Sequence, residues 1–160
     1  MRYQLREQMF AIGDDYWIEA EDGRRLFKVD GKALRLRKTL VLKTPEGAEV
    51  LTIRKKLLAL RDTMEIERDG SAVATVTKAL FSPLVERYSV ALTVGEDMEA
   101  KGNIVDHEYS ITRGRDNVAR ISKRWFRMRD VYGIEVAEGE DDALILAFAV
   151  CVDQMAHDTQ

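Results

Sequence analysis

The sequence predicts a mainly β protein: a closed barrel of about twelve antiparallel strands, in six hairpin repeats, around a central hydrophobic C-terminal helix. Three observations lead there. Eleven-residue windows of one pattern recur along the chain, and the second half of each window alternates with period two. The terminal stretch Ala143 to Val152 has ten consecutive residues without a polar side chain.

The windows are "QMFAIGDDYWI" from Gln8, "KALRLRKTLVL" from Lys32, "KLLALRDTMEI" from Lys56 and "RWFRMRDVYGI" from Arg124. Each opens on a basic or amide residue, has a charged residue at position 7, and returns apolar residues at positions 5, 9 and 11. Weaker copies begin at Lys78 and Lys101, so successive units start 24, 24, 22, 23 and 23 residues apart. Alternation puts Tyr16 with Ile18, Met64 with Ile66, Tyr109 with Ile111, and Tyr132 with Ile134 and Val136 on common faces. Tyr88, Val90, Leu92 and Val94 form a longer series of the same kind. Turn signals follow at "EDG" 21–23, "PEG" 45–47, "RDG" 68–70, "VGED" 94–97 and "RGRDN" 113–117. Asp-Gly and its relatives supply the positive φ that tight reversals require. Beyond the turns lie further short strands, among them "RLFKV", "EVLTI", "AVATV" and "NVARI". The chain reads as all-β to about Val136.

The apolar run is too short to cross a bilayer as a helix, at about 1.5 Å per residue. Its alanines and leucines favour helix over about 142–157, and Glu140, Asp141 and Asp142 supply the negative charge and capping group that a helix start wants. Its apolar residues occur on every side, so the helix must be surrounded by protein. A sheet closed around it satisfies that need and removes exposed strand edges.

A length of 160 residues, 46% of them hydrophobic, fits one domain over residues 1–160. Cys151 is the single cysteine, so no internal disulfide can form. With no signal peptide legible at the start, a cytoplasmic location is expected, peripheral to a membrane if lipid is bound. Net charge is −3, yet Glu135 to Gln160 holds seven acids and no Lys or Arg, leaving the first 134 residues with 25 basic residues against 21 acids. A mildly basic body hints at anionic partners without the footprint of a nucleic-acid binder. No feature sets an oligomeric state; a monomer is compatible with the sequence.

Taken in order, "MRYQLREQMFAIGDDYWI", "KKLLALRDTMEI", "DHEYSI", "VARISKRW" and "DDALILAFAVCVDQMAHD" resemble the LURP-one-related family over nearly the whole length. The resemblance implies the tubby C-terminal-like fold, twelve strands around a hydrophobic helix. Plant members are associated with defence responses. Tubby domains, similar in fold, bind phosphoinositides through basic residues, although those residues do not map here position by position. Phospholipid scramblases, also similar in fold, carry a transmembrane segment, a calcium motif and a cysteine cluster, none of which this sequence shows.

Three groups are candidate sites. "SKRWFRMRD" interleaves Lys123, Arg124, Arg127 and Arg129 with Trp125, Phe126 and Met128, a pattern suited to anionic headgroups at an apolar boundary. Its plain reading is a sixth repeat, with Trp125 and Met128 inside the barrel and the cations outside. Arg35, Arg37 and Lys38 form a second basic group that "RKK" 54–56 would join if the two strands pair. An ordinary solvated barrel wall is the alternative. In "DHEY", Asp106, His107 and Glu108 could act as a base or metal site, but parity with Tyr109 and Ile111 makes His107 a structural core histidine. Cys151, inside the apolar helix, is expected to have a raised pKa and no nucleophilic role. No cofactor or catalytic motif is recognised. The expected role is a non-catalytic binding or adaptor domain, with anionic phospholipid or phosphoinositide headgroups or a protein as partner. The alternatives are a protein-interaction scaffold, and an enzyme or small-molecule binder with a cleft near His107.

Overall fold

The computed structural model describes residues 1–6, 15–32, 39–79, 86–126 and 131–158. The strands are β1 (Arg2–Arg6), β2 (Tyr16–Ala20), β3 (Arg25–Lys32), β4 (Thr39–Lys43), β5 (Glu49–Lys55), β6 (Thr63–Arg68), β7 (Ser71–Lys78), β8 (Glu86–Leu92), β9 (Met98–Asn103), β10 (Glu108–Arg113), β11 (Asp116–Ser122) and β12 (Val131–Val136). One helix, α1 (Asp142–Asp158), follows. Each strand pairs antiparallel with its sequence neighbour, and β1 pairs with β12 from Arg2↔Glu135 to Arg6↔Val131, closing the barrel.

The second halves of the repeated windows fall in the even-numbered strands. Window positions 9 and 11 supply inward pairs with almost no solvent contact: Tyr16 and Ile18, Leu40 and Leu42, Met64 and Ile66, Tyr109 and Ile111, Tyr132 and Ile134. Immediately after position 11 the pairing register slips in four repeats, at Ile18/Glu19, Leu42/Lys43, Ile66/Glu67 and Ile111/Thr112. Such bulges bend the strand and increase its twist, which a closing sheet requires.

The sixth unit contributes one strand before the helix. The twelfth strand is β1, which precedes the first repeat and seals the seam against β12. The series from Tyr88 also stops early: β8 ends at Leu92, and Val94 stands 89% exposed in the following turn.

α1 occupies the interior, packing against β5, β7 and β12. Every residue from Ile145 to Met155 is buried, including Phe148, Val150 and Val152, whereas Ala143 and Leu144 at the entrance are half-buried. A fully buried Ile, Phe or Val contributes ~1.5–3 kcal/mol, an upper value because unfolded chains already hide some surface. The Asp141 side chain accepts from the Leu144 amide at 3.2 Å, capping the first turn. Cys151 is buried and free, and burial pushes its thiol far above the ordinary range. No helix among the described residues is long and apolar enough to cross a membrane.

Candidate functional site

Alternating strand direction separates two unlike ends. At one end lie the connections 21–24, 44–48, 69–70, 93–97 and 114–115, with the lead-in 137–141 to the helix. Gly23, Gly47, Gly70, Gly95 and Gly114 take positive φ in the five turns. Together these six connections hold nine acids and two arginines. Strand arginines meet some of that charge: Arg113 grips Glu140 at 2.8 and 2.9 Å, Arg68 reaches Asp141 at 2.8 Å and Arg2 reaches Glu21 at 2.9 Å. An open hollow of about 390 Å³ at this end is bordered by Met1, Arg2, Ala20, Glu21 and Asp22.

The opposite end carries the long connection 56–62, the four-residue connection 104–107, residues 123–126 that follow β11, and the helix C-terminus. Lys123 and Arg124 sit there, directly after β11. Glu108 organises them: its carboxylate accepts from the Ser122 hydroxyl at 2.8 Å and from the Lys123 amide at 3.1 Å. The Arg124 guanidinium lies 3.8 Å from Glu108 with most of its surface in water. Arg127 and Arg129 lie outside the described residues, as do Arg35, Arg37, Lys38 and Met128.

Trp125 does not enter the barrel. Gly133 stands between inward Tyr132 and Ile134, so its side-chain direction is outward, and a Cβ there would lie 2.6 Å from Trp125 Cε3 and 2.8 Å from Phe126 Cε2. The indole therefore lies against the outer wall at the one position of β12 that has no side chain. Arg2 covers it at 4.6 Å and Arg120 approaches at 5.9 Å. An inward Trp125 would have competed for space with Tyr132 and the helix.

β4 and β5 pair as the second basic group required, with Thr39 opposite Arg54. However, "RKK" is met by acids of the next hairpin: Arg54 to Glu67 at 3.1 Å, Lys55 to Asp62 at 3.7 Å and Lys56 to Glu65 at 3.1 Å. This part of the wall is cross-strand paired. Between these cations and Arg61, Leu57, Leu58 and Leu60 project into solvent.

The side chains of Asp106, His107 and Glu108 diverge. Asp106 accepts from Asn103 at 2.7 Å and Glu108 holds Ser122. His107, with φ 52°, turns into the barrel, where it stacks on Tyr132 at 4.2 Å between ring centres. Its Nε2 lies 3.3 Å from Asp153 of the helix, which also accepts from the Tyr132 hydroxyl. Burial pushes the phenols of Tyr16, Tyr109 and Tyr132 well above their ordinary range, and the nearby Asp153 charge adds to the shift. Parity alone placed His107 inward. Its partnership with Asp153 had no local signal, because the helix brings that carboxylate from elsewhere in the chain. Among the described residues, no three His, Cys, Asp or Glu side chains group to hold a metal ion.

A sequence profile described as LURP-one-related matches residues 1–153. The chain is 27% identical to YxjI of Bacillus subtilis (strain 168), covering 98% of this chain and 94% of that protein. It is 25% identical to Protein LURP1 of Arabidopsis thaliana, covering 91% and 79% respectively. An X-ray structure of an Arabidopsis thaliana protein superposes with a TM-score of 0.71 at 20% identity, over 97% of this chain and 91% of that one. At that identity the superposition speaks for the fold alone.

Proposed function

This chain belongs to the LURP-one-related family, and from that premise we propose that it is a non-catalytic binding domain that presents its long-loop end to anionic phospholipid headgroups, at the cytoplasmic face of a membrane. The observation that carries the reading is the unequal charge of the two ends. The short-turn end has nine acids against two arginines in its connections, while the described connections at the other hold Lys56, Arg61, Lys123 and Arg124 against Asp15, Asp62 and Asp106. Such an asymmetry orients a molecule on a negative surface before any specific contact forms. Arg35, Arg37, Lys38, Arg127 and Arg129, outside the described residues, add basic charge to the sequence. A helix-filled interior favours a surface ligand over an enclosed one. The divergence of Asp106, His107 and Glu108 weighs against a catalytic cleft there.

Co-sedimentation with vesicles of neutral lipid, of phosphatidylserine mixtures and of phosphoinositide mixtures tests the reading. Binding to anionic vesicles at low salt is expected, weakened by added salt and by Arg35→Glu with Arg37→Glu, or Lys123→Glu with Arg124→Glu. The same weak sedimentation with every vesicle, or indifference to all four charge reversals, would overturn it.

A further inference from the structure

The connection from β5 to β6 reads Lys56-Leu57-Leu58-Ala59-Leu60-Arg61-Asp62. Connections of this length are ordinarily polar, because glycine, proline and short polar side chains make reversals easily. Here the tip is apolar and almost wholly in solvent: Leu58 is 99% exposed, Leu60 103% and Leu57 55%. Its base is fixed. The Lys56 amide donates to the Thr63 carbonyl at 2.9 Å, the Thr63 hydroxyl to the Arg61 carbonyl at 2.9 Å, and the Lys78 amide to the Asp62 carbonyl at 3.2 Å. The leucines are thus held out from the barrel by hydrogen bonds that tie both ends of the loop.

Consecutive exposed leucines gain nothing from water and mark a surface that meets an apolar phase. From Lys55 to Arg61 there are three cations and no acid, and the acids that Lys55 and Lys56 meet, Asp62 at 3.7 Å and Glu65 at 3.1 Å, lie at the base of the loop behind the leucines. Basic side chains beside protruding apolar ones match the bilayer boundary, where aliphatic stems lie along the hydrocarbon and cationic heads stay among phosphates. A protruding tip also suits a fluid phase, which closes around it, whereas a protein partner would need a shaped pocket. We propose that Leu57, Leu58 and Leu60 insert into the acyl region of an anionic bilayer, with Lys55, Lys56 and Arg61 at headgroup level. This inference rests on the headgroup reading above and adds a membrane-penetrating mode to it.

The test uses the full chain with vesicles of phosphatidylcholine and phosphatidylserine. Leu58→Ser with Leu60→Ser is expected to weaken binding by roughly tenfold or more and to remove the part of binding that survives high salt, while unfolding midpoints stay unchanged because the leucines are exposed. A tryptophan placed by Leu58→Trp, in a chain with Trp17→Phe and Trp125→Phe, is expected to be quenched by brominated acyl chains. If the parent binds anionic vesicles but the double serine variant binds equally well, or the new tryptophan escapes quenching, insertion is wrong and the headgroup reading stands. If the parent binds no vesicle, both fail. If the serine variant changes the sedimentation mass in the absence of lipid, the leucines form a contact between copies of the chain, and insertion is overturned.

Discussion

The Tyr132 hydroxyl on β12 donates to the Asp153 carboxylate on α1 inside the closed barrel. One strand away, Tyr3 of β1 makes the matching bond to Asp142 at the other end of the same helix. The two tyrosines flank the seam where the chain's first and last strands meet, so these bonds tie the plug to the closure. Two directional bonds at its ends set one depth and one rotation.

Tyr132→Phe keeps the ring that stacks on His107 and removes only the hydroxyl. A bond to a buried charged acceptor is worth about 1.5–3 kcal/mol, so urea unfolding should show a loss of that order. Tyr3→Phe, nearer the rim, should cost less. Equal stability of Tyr132→Phe and the parent would show that the bond does not hold the helix.

Alkaline titration should reveal the buried phenols. Tyr16, Tyr109 and Tyr132 have pKa values raised by burial, so above the ordinary phenol value of about 10 the unfolded chain releases protons that the folded one keeps. This contribution is complete below that pH and is lost as pH rises. Phenolate absorbance should therefore appear together with loss of circular dichroism. Early, gradual titration of all tyrosines in the folded protein would contradict the enclosure.

Cys151 gives a direct reading of helix enclosure. Its thiol is buried with its pKa raised, so a water-soluble thiol reagent should label the native protein no faster than the barrel opens, and at once in concentrated urea. Rapid native labelling would place the helix outside.

Gly133→Ala sets a methyl against the Trp125 ring at a distance that no Cβ tolerates, 2.6 Å. The indole should be displaced, shifting its fluorescence to longer wavelength, at a cost of about 1–3 kcal/mol. Adding Trp125→Ala should restore part of the loss, since Phe126 Cε2 lies 2.8 Å from the same position and must also move. A Gly133→Ala protein with unchanged emission and stability would mean the ring does not lie on that wall.

Inward faces and the buried helix were legible because each depends on side-chain period, a property of neighbours in sequence, whereas the twelfth strand proved to be β1, ahead of the first repeat. Tyr16 with Ile18 and Tyr132 with Ile134 share a face whatever lies across from them, and a helix apolar all round demands enclosure wherever it docks. The basic candidates were legible only as residue types: Lys123 and Arg124 reach the long-loop end, while "RKK" 54–56 is matched by Asp62, just before β6, and by Glu65 and Glu67 on it.

Residues whose place depends on distant partners were decided by closure alone. Trp125 lies outside because the opposite surface presents Gly133, Arg2 and Arg120 from three different strands. His107 meets Asp153 because the helix threads the tube to that depth. Leu58 and Leu60 repeat the apolar pattern of their window yet face water, since the loop leaves the barrel before that pattern can be buried. Periodicity specifies which residues share a side of an element. Which surface that side then meets depends on contacts between strands far apart in sequence, and those exist only once β1 has joined β12.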